Sequence, residues 1–215
     1  MNFIEAAAIP ENFFTVWYNL FERGQIKKSD TILIHGGSSG IGTAAIQLCK
    51  VHGCKVITTV GNKKKQLYCK KLGADLTIDY NKSNFLEVIT KYTKNKGVDI
   101  ILDMVGQKYF EKNILLLKDK GKLIMIAFLS GSITKADFTA IMTKRLILTG
   151  STLRPRTDQE KAKIAKNLHK SYWTAFTKKT IKPNIYKIFN LKDAFKAHKL
   201  MESSKHLGKI VLKTK

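Results

Sequence analysis

Short apolar runs alternate along the first 150 residues with segments in which apolar positions recur every three or four residues. The runs at 32–34, 100–102 and 123–126 show no inward–outward alternation, which is typical of strands buried on both faces of a parallel sheet. The intervening spacing predicts amphipathic helices. Six strands are expected, at residues 31–34, 55–60, 76–78, 98–102, 122–127 and 146–149. Strands alternating with helices in this way predict an α/β fold with a parallel sheet and helices on both of its faces.

The two ends of the chain follow different patterns. After an apolar stretch that ends at Pro10, Asn12 is expected to cap a helix that Gly24 ends. Helices are expected from 41, 61, 85, 109 and 136, and a long lysine-rich one over 158–176. The last part predicts a strand at 185–189, a helix at 191–201 and a strand at 209–212. The main sheet is not expected to pair with these two late strands, which are left poorly partnered.

A glycine-rich turn separates the first predicted strand from its helix, in the run Thr-Ile-Leu-Ile-His-Gly-Gly-Ser-Ser-Gly-Ile-Gly at 31–42. Gly37 and Gly42 fit the dinucleotide fingerprint G-x-G-x-x-G, Ser39 stands in place of its middle glycine, and Gly40 adds a small residue. Such a turn lets the backbone approach a pyrophosphate, which the amide groups of the helix N-terminus then bind. The context favours a Rossmann-type doubly wound sheet over a plain strand-to-helix turn, the alternative explanation.

The end of the second strand indicates which dinucleotide is bound. NAD-binding units of this type carry an acidic residue about 20 residues past the glycine turn, where it holds the ribose 2′-hydroxyl. Here the sequence continues from Val60 with Gly61, Asn62 and three lysines, with no carboxylate. Glycine leaves room for a 2′-phosphate that an acid would repel, and this favours NADPH. Each single lysine of residues 63–65 can also be explained as a solvated helix start.

The net charge of +23 is the unusual feature of the composition. Only four of the 39 basic residues are arginine, and the lysines are spread along every segment. Nucleic-acid surfaces usually favour arginine and a concentrated patch, so we interpret most of this charge as solvated lysine, with a weak affinity for polyanions. Three cysteines without a C-x-x-C pair are typical of a reducing cytoplasm. No apolar run reaches the length of a membrane span, and no secretory signal is evident.

Several stretches together carry a resemblance to a known family. They are Ala-Ala-Ala-Ile-Pro at 6–10, Phe-Thr-Val-Trp at 14–17, the glycine turn, Lys-Leu-Gly-Ala at 71–74, Ile-Leu-Asp-Met-Val-Gly at 101–106, Ala-His at 197–198 and Gly-Lys-Ile-Val-Leu at 208–212. The chain resembles the zinc-independent NADPH quinone oxidoreductases of the medium-chain dehydrogenase/reductase superfamily, and most closely their tumour-suppressor-inducible branch. The resemblance implies hydride transfer from NADPH to a quinone or related enone.

The resemblance also implies roles for individual residues in holding NADPH. The pyrophosphate would be held by Gly37, Ser38, Ser39, Gly40, Ile41 and Gly42. The 2′-phosphate would be held by Gly61, Lys65 and Tyr80, beside Asn62; Tyr80 can otherwise be explained as a loop aromatic. The ribose and nicotinamide would be contacted by Thr15, Met104, Val105, Gly106, Phe128 and Leu129. Leu153 and Arg154 match a loop near the cofactor, with a surface cation as the alternative for Arg154. No catalytic side chain and no metal ligand is implied, because hydride transfer needs orientation rather than a nucleophile.

The chain departs from the family pattern at its start. Family members carry a GroES-like substrate domain before the stretch that begins here, and the late strands resemble the return into that domain. The expected organisation is a hinge segment and helix at 1–24, an NADPH-binding Rossmann domain at 25–182 and a C-terminal return segment at 183–215. A truncated gene product and a genuinely short relative both remain open, and so does the activity of the shortened chain. The resemblance also implies a homodimer, paired through the sixth strand at 146–149.

The same residues bear on three other classes of protein. Tyr92 and Lys96 have the Tyr-x-x-x-Lys spacing of short-chain dehydrogenases, but they come too early in the strand order. The cysteines and histidines form no ligand set with the spacing of a zinc alcohol dehydrogenase. A catalytically idle NADPH-binding protein, or an RNA-binding relative, is the remaining alternative.

Overall fold

The computed structural model describes residues 1–214 and is built on a six-stranded sheet. All five strand pairings are parallel, and the strand order is β3-β2-β1-β4-β5-β6. The strands are β1 (Thr31–His35), β2 (Lys55–Val60), β3 (Leu76–Asp79), β4 (Val98–Asp103), β5 (Leu117–Met125) and β6 (Ile147–Gly150). This is the order of doubly wound dinucleotide-binding sheets, with the direction of winding reversing between β1 and β4. The predicted Rossmann-type α/β fold is confirmed.

Helices cover both faces of the sheet. The α-helices of the described residues are α1 (Phe3–Ala7), α2 (Pro10–Val16), α3 (Gly40–His52), α4 (Lys63–Lys71), α5 (Phe85–Tyr92), α6 (Phe110–Leu116), α7 (Thr139–Thr143), α8 (Asp158–Thr177) and α9 (Ala194–Glu202). On one face α2, α3 and α8 enclose a core that includes Phe13, Leu48 and Leu168. On the other face α5 and α6 pack through Ile89 and Ile114. Burial on both faces explains why β1 is buried at all five positions.

The N-terminal helix differs from the prediction. Helix α2 begins at Pro10 without a side-chain cap, and a π-helical segment, Trp17–Arg23, continues it up to Gly24. Asn12 lies inside the helix and is buried, so its prediction as a cap was wrong. Proline at the first helical position removes one of the N–H groups that would otherwise lack a partner. The capping box that does form joins Asn2 to Glu5 and starts α1, a short helix that the sequence analysis did not predict.

Most other element boundaries agree within a few residues, and β2 and α5 have the predicted limits. The main exception is β5, which starts at Leu117 rather than at residue 122. Leu117 pairs with Val98, and the register then shifts before Lys122 pairs with Ile100. Helix α7 also begins at Thr139, three residues later than expected.

The two late strands pair with each other, which corrects the expectation that they are poorly partnered. Strands β7 (Ile185–Asn190) and β8 (Lys209–Lys213) form a separate two-stranded parallel sheet, with α9 between them in sequence. The main sheet supplies no strand to this pair among the described residues. A hydrogen bond from the Gly208 N–H to the Ser38 carbonyl, 2.8 Å long, instead ties the start of β8 to the glycine turn.

Within residues 1–214 we find no helix with the length and apolar character needed to cross a bilayer. The three cysteines, Cys49, Cys54 and Cys69, are free thiols and all are buried.

Candidate functional site

The candidate site lies at the carboxyl-terminal edge of the sheet, where the loops after β1, β2, β4 and β5 meet. Parallel strands all end at this edge, and the reversal of winding between β1 and β4 opens a crevice there. Most of the residues predicted to hold a dinucleotide follow directly on these strand ends.

The turn after β1 has no room for a side chain at two of its glycines, Gly37 and Gly42. The N–H groups of Gly36 and Gly37 both donate to the Thr59 carbonyl on β2, at 3.1 Å. A methyl group on Gly37 would collide with the Thr58 side chain, and one on Gly42 with the backbone of the turn itself. Glycine is therefore required at both positions by close approach.

Helix α3 begins in this turn and presents its N-terminus to the crevice. The Ser39 side chain caps the helix by accepting from the Gly42 N–H at 2.9 Å, and the first helical bond runs from the Thr43 N–H to the Ser39 carbonyl. The N–H groups of Gly40 and Ile41 precede that first bond. They, together with the positive end of the helix dipole, are suited to bind an anion such as a pyrophosphate.

Gly61, Asn62, Lys65 and Tyr80 come together at the ends of β2 and β3. The Tyr80 hydroxyl lies 2.7 Å from the place a Gly61 methyl group would take, and the Tyr80 side chain is 45% exposed. Asn62 caps α4 by accepting from the Lys65 N–H at 2.9 Å. No acidic side chain follows β2 directly, since Gly61, Asn62 and three lysines come after Val60.

The Lys65 ammonium group contacts the C-terminal part of the chain, just after α9. Its Nζ donates to the Ser204 carbonyl at 2.6 Å, across 139 residues of sequence. Partial burial lowers the pKa of Lys65. The sequence analysis did not predict this contact, because Ser204 lies in a loop that only the folded chain brings to α4.

The loops after β4 and β5 are joined by backbone hydrogen bonds. The Leu129 N–H donates to the Met104 carbonyl at 3.0 Å, and the Ser130 N–H donates to the Val105 carbonyl at 2.8 Å. Gly106 has a φ of +81°, which favours glycine, and a methyl group there would also meet Phe128. Phe128 and Leu129 are 50% and 76% exposed, so they offer apolar surface beside the crevice.

Thr15, Leu153 and Arg154 come from other elements. Thr15 is buried in α2, and its carbonyl accepts from the Asn19 side chain, which in turn accepts from the Ser151 hydroxyl at 2.9 Å. This bridge connects α2 to the loop that carries Leu153, which is half-buried against the α2–α8 core. Arg154 is exposed, and its carbonyl accepts from Lys161.

Sequence reasoning missed the buried polar residues beneath the crevice. Asp103 ends β4, and its carboxylate accepts from the Val105 N–H at 2.7 Å and the Gly106 N–H at 3.1 Å. His35 ends β1 and contacts Asn113 of α6. The polar ends of two otherwise apolar strands were a signal for His35 and Asp103. Asn113 carried no signal, since it stands within an amphipathic helix.

Two of the rejected classes can be compared with the structure. Helix α5 ends at Tyr92, and Lys94 and Asn95 have positive φ, so Tyr92 and Lys96 do not share a helix as a short-chain dehydrogenase needs. Among the described residues, no three His, Cys, Asp or Glu side chains are grouped so that they could hold a metal ion.

Comparison with known proteins assigns the family. Residues 40–169, more than half of the chain, match the family described as zinc-binding dehydrogenase. The chain belongs to the zinc-binding dehydrogenase family. The chain is 28% identical to a human quinone oxidoreductase over 213 residues, which is 99% of the chain and 63% of that relative. The chain therefore spans less than two thirds of the length of the curated relatives that it matches.

Solved structures of related proteins are similar to this chain over almost its whole length. An Escherichia coli quinone oxidoreductase complexed with NADPH has a TM-score of 0.87 at 28% identity, covering 99% of this chain and 65% of that one. An NAD-dependent alcohol dehydrogenase has a TM-score of 0.86 at 28% identity, covering 100% and 60%. The resemblance to quinone oxidoreductases of the medium-chain dehydrogenase/reductase superfamily is confirmed. Both NADPH and NAD are named among these similar structures, so cofactor choice must be argued from the chain's own residues.

Proposed function

We propose that this chain forms the cofactor-binding portion of an NADPH-dependent quinone oxidoreductase. The observation that carries the proposal is the end of β2, where Gly61 stands in the place of an acid and the Tyr80 hydroxyl lies against it. Similarity to the human and E. coli quinone oxidoreductases supports a quinone or related enone as the acceptor.

The residues present fit an NADPH molecule laid across the sheet edge. The pyrophosphate would lie on the glycine turn, against the N–H groups of Gly40 and Ile41 and beside Ser38. The 2′-phosphate would lie beside Gly61 and the Tyr80 hydroxyl, where the Asn62 side chain and the Lys65 ammonium group would bind it. For this, Lys65 exchanges the Ser204 carbonyl for a phosphate oxygen, which as a charged acceptor makes the stronger bond.

The remaining predicted contacts are assigned to the ribose and nicotinamide end. They are Thr15, Met104, Val105, Gly106, Phe128, Leu129, Leu153 and Arg154. When bound, the dinucleotide supplies the hydride, and the protein's task is to orient it and to exclude water. We propose no catalytic side chain and no zinc ion for this step.

We also propose that the protein is a homodimer paired through β6 and that it works in the cytoplasm. Strand β6 lies at the edge of the sheet, with β5 as its neighbour on one side. Three buried, unpaired thiols fit a reducing compartment.

The test uses the full chain and measures binding and turnover separately. Calorimetry with NADPH and NADH should show NADPH binding at least about tenfold more tightly, and oxidation of NADPH should depend on added 1,4-benzoquinone or 1,2-naphthoquinone. Tighter binding of NADH would refute the cofactor assignment. Tight NADPH binding without quinone-dependent oxidation would support the alternative of a catalytically idle NADPH-binding protein. Binding of RNA that disappears at high salt, with no nucleotide binding, would support the other alternative.

A further inference from the structure

A chain of buried hydrogen bonds runs beneath the candidate site and is centred on His35. The residue is 2% exposed at the end of β1. Its Nδ1 lies 2.9 Å from the Thr59 hydroxyl on β2, and its Nε2 lies 2.8 Å from Asn113 Oδ1 on α6. Asn113 Nδ2 donates in turn to Asp103 Oδ2 at 3.3 Å, at the end of β4. Asn113 and Asp103 are also buried, so water cannot take the place of these partners.

The chemistry of these groups determines which of them donates in each hydrogen bond. An ionised carboxylate only accepts, so Asn113 must turn its amide nitrogen to Asp103 and its oxygen to His35. His35 Nε2 therefore carries the proton, and the neutral ring accepts from the Thr59 hydroxyl at Nδ1. Burial lowers the pKa of His35 against the opposing effects of the Asp103 charge and the Asn113 hydrogen bond, and this favours the neutral ring. Every member donates in one direction, from Thr59 towards Asp103.

The residues at the two ends of this hydrogen-bond series also contact the two loops that would hold the dinucleotide. The Thr59 carbonyl accepts the N–H groups of Gly36 and Gly37 in the glycine turn. The Asp103 carboxylate accepts the N–H groups of Val105 and Gly106 in the loop after β4. The rings of Phe85 and Tyr109 pack against His35, with centroid distances of 5.1 and 4.8 Å, and shield it from solvent.

We infer that His35, acting through Asn113 and Asp103, is a positioning residue that holds the loop 104–106 in place relative to the glycine turn. His35 itself is buried beneath both loops and acts on them through its hydrogen bonds. The consequence for cofactor binding rests on the proposed function, whereas the positioning of the loop does not.

The first experiment measures amide hydrogen exchange by NMR in the protein without cofactor. In His35→Leu, exchange at the Val105 and Gly106 amides should speed up at least about tenfold relative to the amides of β1 and β4, because Asp103 is no longer oriented. His35→Gln, whose amide can still donate to Asn113, should restore most of the protection. Phe85→Leu is the matched control, since it disturbs the packing around His35 and leaves the hydrogen bonds in place. Its effect should be uniform along the sheet.

The second experiment compares the two nucleotides. NADPH and NADH should lose the same factor of affinity in His35→Leu, because the loop faces a part of the cofactor that both share, and His35→Gln should recover it. Unchanged protection at 105 and 106, or a loss equal to that of Phe85→Leu, would overturn the inference. If exchange behaves as expected but neither nucleotide binds the unsubstituted chain, the positioning role is supported and the proposed function fails.

Discussion

Lys65 is the residue on which the choice of cofactor depends most directly. Its ammonium group donates to the Ser204 carbonyl, and its residue lies in the first turn of α4, directly after Gly61 and Asn62. A hydrogen bond between charged groups contributes about 1.5–3 kcal/mol, and about 1.4 kcal/mol corresponds to a tenfold change in affinity. Lys65→Ala should therefore weaken NADPH binding about tenfold or more in calorimetry. NADH has no 2′-phosphate, and its affinity should hardly change.

Lys64→Ala is the control for the Lys65 prediction. Lys64 is exposed on the same helix, and its replacement removes the same charge. If both substitutions weaken NADPH equally, the effect comes from the general field of a chain with a charge of +23 and not from a fitted contact.

His35 predicts how stability depends on pH. Its pKa is lowered in the folded protein, mainly by burial, while Asp103 and Asn113 act in the opposite direction. Of the titratable groups facing it, Tyr109 stays neutral, because burial raises its pKa to about 12. The unfolded chain then binds more protons than the folded one below about pH 6.5, so stability falls as the pH drops through that range. The free energy of unfolding should therefore be lower at pH 5.5 than at pH 7.5, and His35 should account for part of this difference.

Urea unfolding of the wild type and of His35→Gln at pH 7.5 and 5.5 measures this contribution. Glutamine does not titrate, so the variant should lose less stability than the wild type over the same interval. Equal losses in the two proteins would mean that His35 is protonated without penalty in the fold.

Helix α3 explains why the glycine fingerprint is imperfect. Ser39, in place of the middle glycine, has a φ of −70° and a ψ of 169°, a conformation open to any residue, and its side chain caps the helix. Ser39→Ala should lower the free energy of unfolding by about 0.5–2 kcal/mol, whereas Ser39→Gly should cost only a few tenths. Thermal unfolding of both variants tests this. A larger loss for glycine than for alanine would show that the cap contributes little.

The elements that could be predicted from sequence are those with local boundary signals. Strand β2 and helix α5 are bounded by turn and capping residues such as Gly61 and Asn84, and both have the expected limits. The early start of β5 could not be predicted, because Leu117 pairs with Val98 across a register shift that leaves no trace in the local pattern. The pairing of β7 with β8 likewise depends on tertiary structure.

The candidate site also contains residues that could be predicted from sequence and contacts that could not. Gly37, Gly42 and Gly61 could be predicted because they follow a strand or begin a helix in a recognisable pattern, and the structure leaves little room for a side chain at each of them. The contact of Lys65 with Ser204 and that of His35 with Asn113 join residues 139 and 78 positions apart. No regular sequence spacing indicates contacts between residues so far apart, so they can be recognised only once the fold is known.

For the whole molecule, the surplus of lysine is a property of the surface. Within residues 1–214 five ion pairs link basic to acidic side chains, among 39 basic and 16 acidic residues of the sequence. Most lysines therefore have no carboxylate partner and are held in water. This distribution supports our interpretation of solvated lysine, and it will attract anionic ligands such as NADPH in a salt-dependent way.

The edge of the sheet carries the prediction about assembly. Strand β6 pairs with β5 on one side, and Ile147 on it is 48% exposed. Phe138 and Met142, from the segment before it, are 68% and 73% exposed. An unpaired edge beside apolar side chains is a template for pairing with a second copy about a two-fold axis.

Sedimentation equilibrium should therefore show a dimer. Ile147→Lys should shift it towards monomer by placing a charge at the edge, whereas the same change at exposed Leu67 on α4 should not. A wild-type chain that stays monomeric at high micromolar concentration would contradict the proposed pairing.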